Sequence, residues 1–132
     1  MPVSKTQLQR AIDAIAGVDG LYMDPHYLVE DVVLLSVSFP DEHEFQAAVV
    51  HTVNALTLLR NGSVTASHLE QRLDGWCSYH YQHRVAQGAR ADCRIIFRPK
   101  ENGIEVKGFG HRYIPQDVYR RLVQGRTNTL QP

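Results

Sequence analysis

The sequence predicts an α+β domain in which helices pack on one face of a small antiparallel sheet, itself made of one N-terminal strand and a three-stranded meander. Three observations carry this. Apolar residues recur at helical spacing before residue 17 and again over 41–60, and at strand spacing from residue 76 onward. An Asn-Gly pair at 102–103 separates two apolar runs, the strongest short hairpin signal. The composition, 132 residues with 43% hydrophobic, 8% aromatic and 21% charged, supplies one buried core and excludes a disordered chain.

The elements follow in order. Ser4 and Gln7 form a capping-box pattern ahead of the stripe Leu8, Ala11, Ile12 and Ile15, so a short helix is expected to stop near Gly17. Asp19-Gly20 and Asp24-Pro25 are turn signals. The run VVLLSVSF at 32–39, closed by Pro40, is expected to be a central strand with Val33, Leu35, Val37 and Phe39 buried. Asp41 and Glu44 give the acidic start of the longest helix, with Phe45, Val49, Val53, Leu56 and Leu59 inward and Asn61-Gly62 at its end. A further short helix is expected at 66–73, with Leu69 and Leu73 inward. Three strands, 76–85, 93–98 and 104–111, make the meander, and Pro115, Val118, Tyr119 and Leu122 mark a closing helix or turn. Residues 1–27 read as a helical extension, 28–124 as the main domain and 125–132 as a tail.

With Asn102 and Gly103 as the two turn residues, Arg98 faces Lys107, Ile96 faces Phe109 and Arg94 faces His111. Opposed residues share a face, so Arg94, Arg98, Lys107 and His111 form one cationic surface. Cys93, Ile95 and Phe97 lie on the other, opposite glycines that admit a close helix. Burying Tyr79, Tyr81 and Val85 aligns Arg84 with Arg94 and His80 with Arg98 on the open face, and turns His83 toward the core. Two like charges face to face at Arg98 and Lys107 favour an anion between them. Cys77 and Cys93 fall far apart in this register and are expected to be free thiols. His80 and His83 point to opposite faces, so no metal site is expected, nor any cofactor.

Charge is unevenly distributed. Residues 1–71 carry three basic and nine acidic side chains, net −6, and residues 72–132 carry eleven and five, net +6, so the chain is neutral overall. The basic half is either a surface for an anionic partner or a set of strands solubilised by arginine. No apolar run approaches the ~18 residues of a membrane span and the N-terminus lacks a signal-peptide pattern. A cytoplasmic protein with no membrane partner is the expectation.

The segment CRIIFRPKENGIEVKGFGHRYIPQDVYRRL resembles the end of the RelE/ParE toxin superfamily. There an arginine, two aliphatic residues and an aromatic precede a turn, an apolar strand, a Gly-His-Arg or Gly-Lys-Arg triplet and a Val-Tyr pair. VVLLSVSF, the capped helix and LEQRLDGW look like that fold's earlier parts, so the likeness covers about residues 30–124. It implies a RelE-like toxin of a toxin–antitoxin pair that cleaves ribosome-bound mRNA by 2′-hydroxyl attack. Its partners would be mRNA on the ribosome and a cognate antitoxin.

Carried over residue by residue, Arg94 matches the strand arginine at the scissile phosphate, Arg112 the arginine of the triplet and Tyr119 the closing tyrosine. His80 and Arg84 fall near positions where some members carry catalytic lysines or arginines. His80 and His111 titrate near neutrality and suit acid or base duty, and arginine forks suit phosphate oxygens. The catalytic set is therefore Arg94, His111, Arg112, Tyr119 and His80, with Arg84, Arg98 and Lys107 binding RNA; Tyr119 is equally a helix-packing residue. The alternative is a non-catalytic module on the same fold, a ParE-like gyrase inhibitor or an inactive RNA- or protein-binding relative. The chain departs from the family in its neutral charge, its longer Pro115-containing loop, and the lack of a lysine pair or glutamate in the first meander strand.

Overall fold

The computed structural model describes residues 2–62, 66–68, 73, 75–82 and 91–126. In chain order the elements are α1 (Lys5–Ala16), β1 (Leu21–Tyr22), α2 (Pro25–Ser38), α3 (Glu42–Arg60), β2 (Ser67–His68), β3 (Cys77–Tyr81), β4 (Cys93–Lys100), β5 (Gly103–His111) and α4 (Val118–Gly125). The strands form one mixed sheet in the order β1-β5-β4-β3-β2, with β1 parallel to β5 and the other pairs antiparallel.

Local signals set the helix starts. In α1 the Ser4 hydroxyl accepts from the Gln7 N–H, and the Gln7 side chain accepts in turn from the Ser4 N–H at 2.8 Å. In α3 the Asp41 carboxylate caps the His43 and Glu44 N–H groups. Both helices send apolar stripes, Ala11 and Ile15 from α1 and Phe45, Ala48, Leu56 and Leu59 from α3, into the main core. The first 27 residues are thus built into that core, and the boundary expected after residue 27 falls inside α2.

Residues 32–39, expected as a central strand, belong instead to helix α2 and its C-terminal cap. Asp24-Pro25 is a helix start rather than a turn: the Asp24 carboxylate accepts from the His26 N–H at 2.8 Å, and proline takes the first helical position, where no N–H is needed. Leu28, Val32 and Leu35 repeat every three to four residues and are buried, as is Phe39, while Val33 and Val37 are exposed. The β-branched content of the run suited a strand, but the burial period is helical. The 66–73 segment is likewise not a simple helix: Ser67 and His68 pair with β3, Leu73 is buried, and 69–72 lie outside the described residues.

The meander forms in a different register. Lys100 pairs with Gly103, so Glu101 and Asn102 make the turn, and Asn102 takes the left-handed conformation with φ 65°. Gly103 is glycine for another reason: a Cβ there would collide with the carbonyl of Gly20, which accepts from the Ile104 N–H at 2.9 Å. An irregularity between Ile96 and Phe97 then inserts Lys107 as an extra residue. Arg98 consequently faces Glu105, Ile96 faces Gly108 and Arg94 faces Gly110. His80 faces Arg94 rather than Arg98, and Tyr81 faces Cys93. Cys77 is opposite Phe97, not Glu101, so the two thiols lie nearer in register than expected; both are free.

Helices cover both faces, not one. Cys77, Tyr81, Cys93, Ile95, Phe97, Ile104, Val106 and Phe109 meet α1–α3. On the opposite face Trp76 and Ile96 meet Val118 and Leu122 of α4, and Gly108 leaves space that a Cβ would take from Leu122.

The outer edge of β5 beyond β1 is closed by side chains. The Phe109 N–H donates to Asp31 of α2 at 3.0 Å. The Lys107 carbonyl accepts from Arg126 at 2.8 Å and the Phe109 carbonyl from Arg121 at 3.2 Å. Asp31, fully buried, is ion-paired with both guanidiniums. This network satisfies an edge that would otherwise present unpaired backbone groups, and ties α4 to α2.

Candidate functional site

The α4 face of the sheet divides into two regions. Beneath α4 the Arg98 Nε bonds the buried Glu105 carboxylate at 2.7 Å, and Lys100 adds a second cation at 3.7 Å. The Arg98 guanidinium and the Lys107 ammonium sit 4.4 and 5.3 Å from the Trp76 ring centre. Lys107 is 3% exposed and donates to the Arg126 carbonyl at 3.3 Å. Burial, with Arg126 and Arg98 nearby, holds its pKa below the ordinary lysine value. Of these two residues, expected as an RNA-binding pair awaiting an anion, Arg98 has its anion in Glu105 and Lys107 is buried. Lys107 has nothing to offer a phosphate in solvent.

Beyond the start of α4 the same face carries a second cluster. His80 on β3 stands opposite Arg94 on β4, and Arg94 stands opposite Gly110 on β5. Arg112 follows β5, its N–H bonded to the Asp92 carbonyl at 2.8 Å. Its guanidinium lies 4.5 Å from the Tyr119 ring centre, and Tyr119 shares a hydrogen bond of 2.8 Å with the Ser78 hydroxyl. The sheet thus gathers His80, Arg94, Arg112 and Tyr119, four residues expected at the site.

His111 leaves it. It pairs with Cys93, whose side chain belongs to the main core, and its ring lies 5.9 Å from that of Phe39. Its Nδ1 accepts from the N–H groups of Tyr113 and Ile114, each at 3.0 Å. The expected pairing of Arg94 with His111 on one face does not occur: the shifted turn moves partners by two and keeps their faces, and the extra residue Lys107 then turns His111 to the opposite side. Arg84 and His83 lie outside the described residues.

The electrostatics of the cluster follow from these neighbours. Burial, then the positive charges of Arg94 and Arg112, lower the His80 pKa from its ordinary value, which favours the neutral imidazole. Arg94 donates from Nη1 to the Ala91 and Cys93 carbonyls at 2.8 and 3.0 Å, and its buried Nε has no hydrogen-bond partner.

Asp117 was not anticipated from the sequence. One of its oxygens caps the Tyr119 and Arg120 N–H groups and the other pairs with Arg112 at 2.8 Å. Burial works against its charged form, but Arg112 and the two N–H groups outweigh this and leave its pKa below the usual 3.8. Its place just before Val118 is a helix-start signal that could have marked it. Ser78 gave no such signal, since only the fold sets it beneath Tyr119.

A cleft of about 600 Å³ lies at the other end of the strands, lined by residues that include Arg60, Cys77, Phe97 and Lys100, and touches none of the cluster. Among the described residues no group of three His, Cys, Asp or Glu side chains is placed to hold a metal ion, and no helix is long and apolar enough to cross a membrane. Comparison with family models, curated proteins and solved structures finds no match to this chain.

Proposed function

We propose that the protein is a RelE-like toxin, a metal-independent endoribonuclease that cuts mRNA, on the ribosome, by attack of a 2′-hydroxyl on the adjoining phosphate. The observation that carries the reading is the convergence of an imidazole, two guanidiniums and a phenol from β3, β4, the β5–α4 connection and α4. In this reading His80 takes the 2′-hydroxyl proton as the 2′-oxygen bonds to phosphorus. Arg94 and Arg112 stabilise the charge that gathers on the phosphorane oxygens. The bond to the 5′-oxygen then breaks, the Tyr119 hydroxyl supplies the proton it needs, and the products end in a 2′,3′-cyclic phosphate and a 5′-hydroxyl. A cognate antitoxin would neutralise the activity.

Induced expression should arrest growth and leave mRNA cut in translating ribosomes, and His80→Ala or Arg94→Ala should each relieve the arrest while the purified variants keep the native circular dichroism spectrum. Toxicity unchanged in both folded variants removes this site.

A second reading, a non-catalytic module that binds RNA or protein on the same fold, is favoured by two specific features. Asp117 neutralises Arg112, and His111 is turned away, so His80 is the one imidazole that the described residues bring to the cluster. Salt-dependent RNA binding with no cleavage, with or without ribosomes, would select it.

A further inference from the structure

We infer that Tyr113 is a stacking platform for an unpaired RNA base beside the phosphate-handling cluster, a role that deepens the proposed function and rests on it for the identity of the ligand. Three observations converge on this residue. The Arg112 guanidinium lies over two rings, 4.5 Å from the centre of Tyr119 and 4.6 Å from that of Tyr113. Tyr113 is 66% exposed, more than any other large apolar or aromatic side chain among the described residues. With a guanidinium against one face of the ring, exposure of that size leaves the other face to solvent.

The backbone beneath the ring is also held in place. The Tyr113 and Ile114 N–H groups both donate to His111 Nδ1 at 3.0 Å, and the Ile114 carbonyl accepts from the Ser38 hydroxyl at 2.7 Å. An exposed aromatic on a tethered backbone loses little freedom when a flat ligand settles on it. A layer of guanidinium and phenol next to cations suited to phosphate fits a nucleotide that offers both a base and a backbone charge. His111, expected as a catalytic group, thereby becomes a positioning residue that acts through this loop.

The test uses the full chain and a nine-nucleotide single-stranded RNA of mixed sequence, with 2′-O-methyl sugars that block cleavage, titrated by fluorescence anisotropy at low salt. Tyr113→Ala should weaken binding about tenfold, within the range for loss of one stacked base, whereas Tyr113→Phe and Tyr113→Trp should bind like the parent. The same oligomer made without bases should bind parent and Tyr113→Ala alike, which a merely structural role in placing Arg112 would not give. His111→Ala should reproduce part of the loss and His111→Asn, whose Oδ1 can stand in for Nδ1, should recover it.

Parent-like binding by Tyr113→Ala overturns the inference and leaves the ring as a contact for a protein. An equal loss on the base-free oligomer, or no binding of the RNA by the parent protein, also overturns it. Cleavage is scored separately with unmodified RNA: Tyr113-dependent binding without cuts refutes the nuclease and leaves the base platform standing.

Discussion

Replacing Asp31 with asparagine tests whether the fold depends on a buried charge. Asparagine keeps the size of the side chain and an oxygen for the Phe109 N–H, but it removes the negative charge and replaces the oxygen that accepts from Arg121 and Arg126 with a donor. That charge faces Arg121 and Arg126, whose side chains are 8% and 1% exposed. Glu30, half in solvent, reaches Arg126 at 2.8 Å and Arg121 at 3.9 Å, and can compensate only in part. Leaving a buried partner charge uncompensated costs about 3–5 kcal/mol, a large share of the roughly 5–15 kcal/mol that holds a domain of this kind together.

Urea unfolding of the parent and Asp31→Asn at pH 7, followed by circular dichroism, should show that loss as a lower midpoint with an unchanged slope. The deficit should persist in high salt, since screening scarcely reaches a desolvated pair. Pairing the change with Arg126→Met should cost less than the two single losses combined, because each single change strands the other's partner. A loss under about 1 kcal/mol, or one abolished by salt, would show that water reaches these guanidiniums and would refute the argument.

Three further outcomes follow from the geometry. Gly108→Ala should destabilise the fold by about 1–3 kcal/mol, the usual cost of overpacking, because the new methyl meets Leu122; Gly62→Ala, where nothing lies within 4 Å, should show only the strain of its positive φ. Because the His80 pKa is depressed, the acid limb of any cleavage profile should fall below pH 6.5. Any contribution of His80 to folding stability is present above that value and is lost as pH falls through the depressed one. Burial pushes the Cys93 thiol far above its ordinary range, so it should not react with a thiol reagent until the protein is unfolded, and fast labelling of Cys93 in the native protein would contradict its placement.

Much of the candidate site was legible because it lies in short strings whose chemistry is local. Arg94 opens the RIIF strand, Arg112 follows Gly-His, and Tyr119 sits in the first turn after the Asp117 cap; that His80 shares a face with Arg94 follows from strand alternation alone. His111 was misplaced because alternation carries a residue to the right face only if the register is known. The register here hangs on Lys107 as an extra residue and on Gly103 being spent on a close approach to Gly20. Neither is visible in the hairpin's own sequence. Asp31 escaped notice for a related reason: its partners lie 90 and 95 residues away.

The sequence by itself determined where α1 and α3 begin, since caps such as Ser4 and Asp41 act through bonds to residues two or three positions away. It also determined the inward sets of β3 and β4, Tyr79 and Tyr81 with Cys93, Ile95 and Phe97, but not that of β5, where Phe109, expected beside Ile96, turns into the main core. Tertiary structure alone decided that 25–38 is a helix, which turn residue takes the positive φ, that Arg98 meets Glu105, and that α4 covers the second face of the sheet. Those outcomes depend on which groups lose water together. A buried charge must find its counter-charge and an open strand edge its donors and acceptors, wherever in the chain these happen to lie.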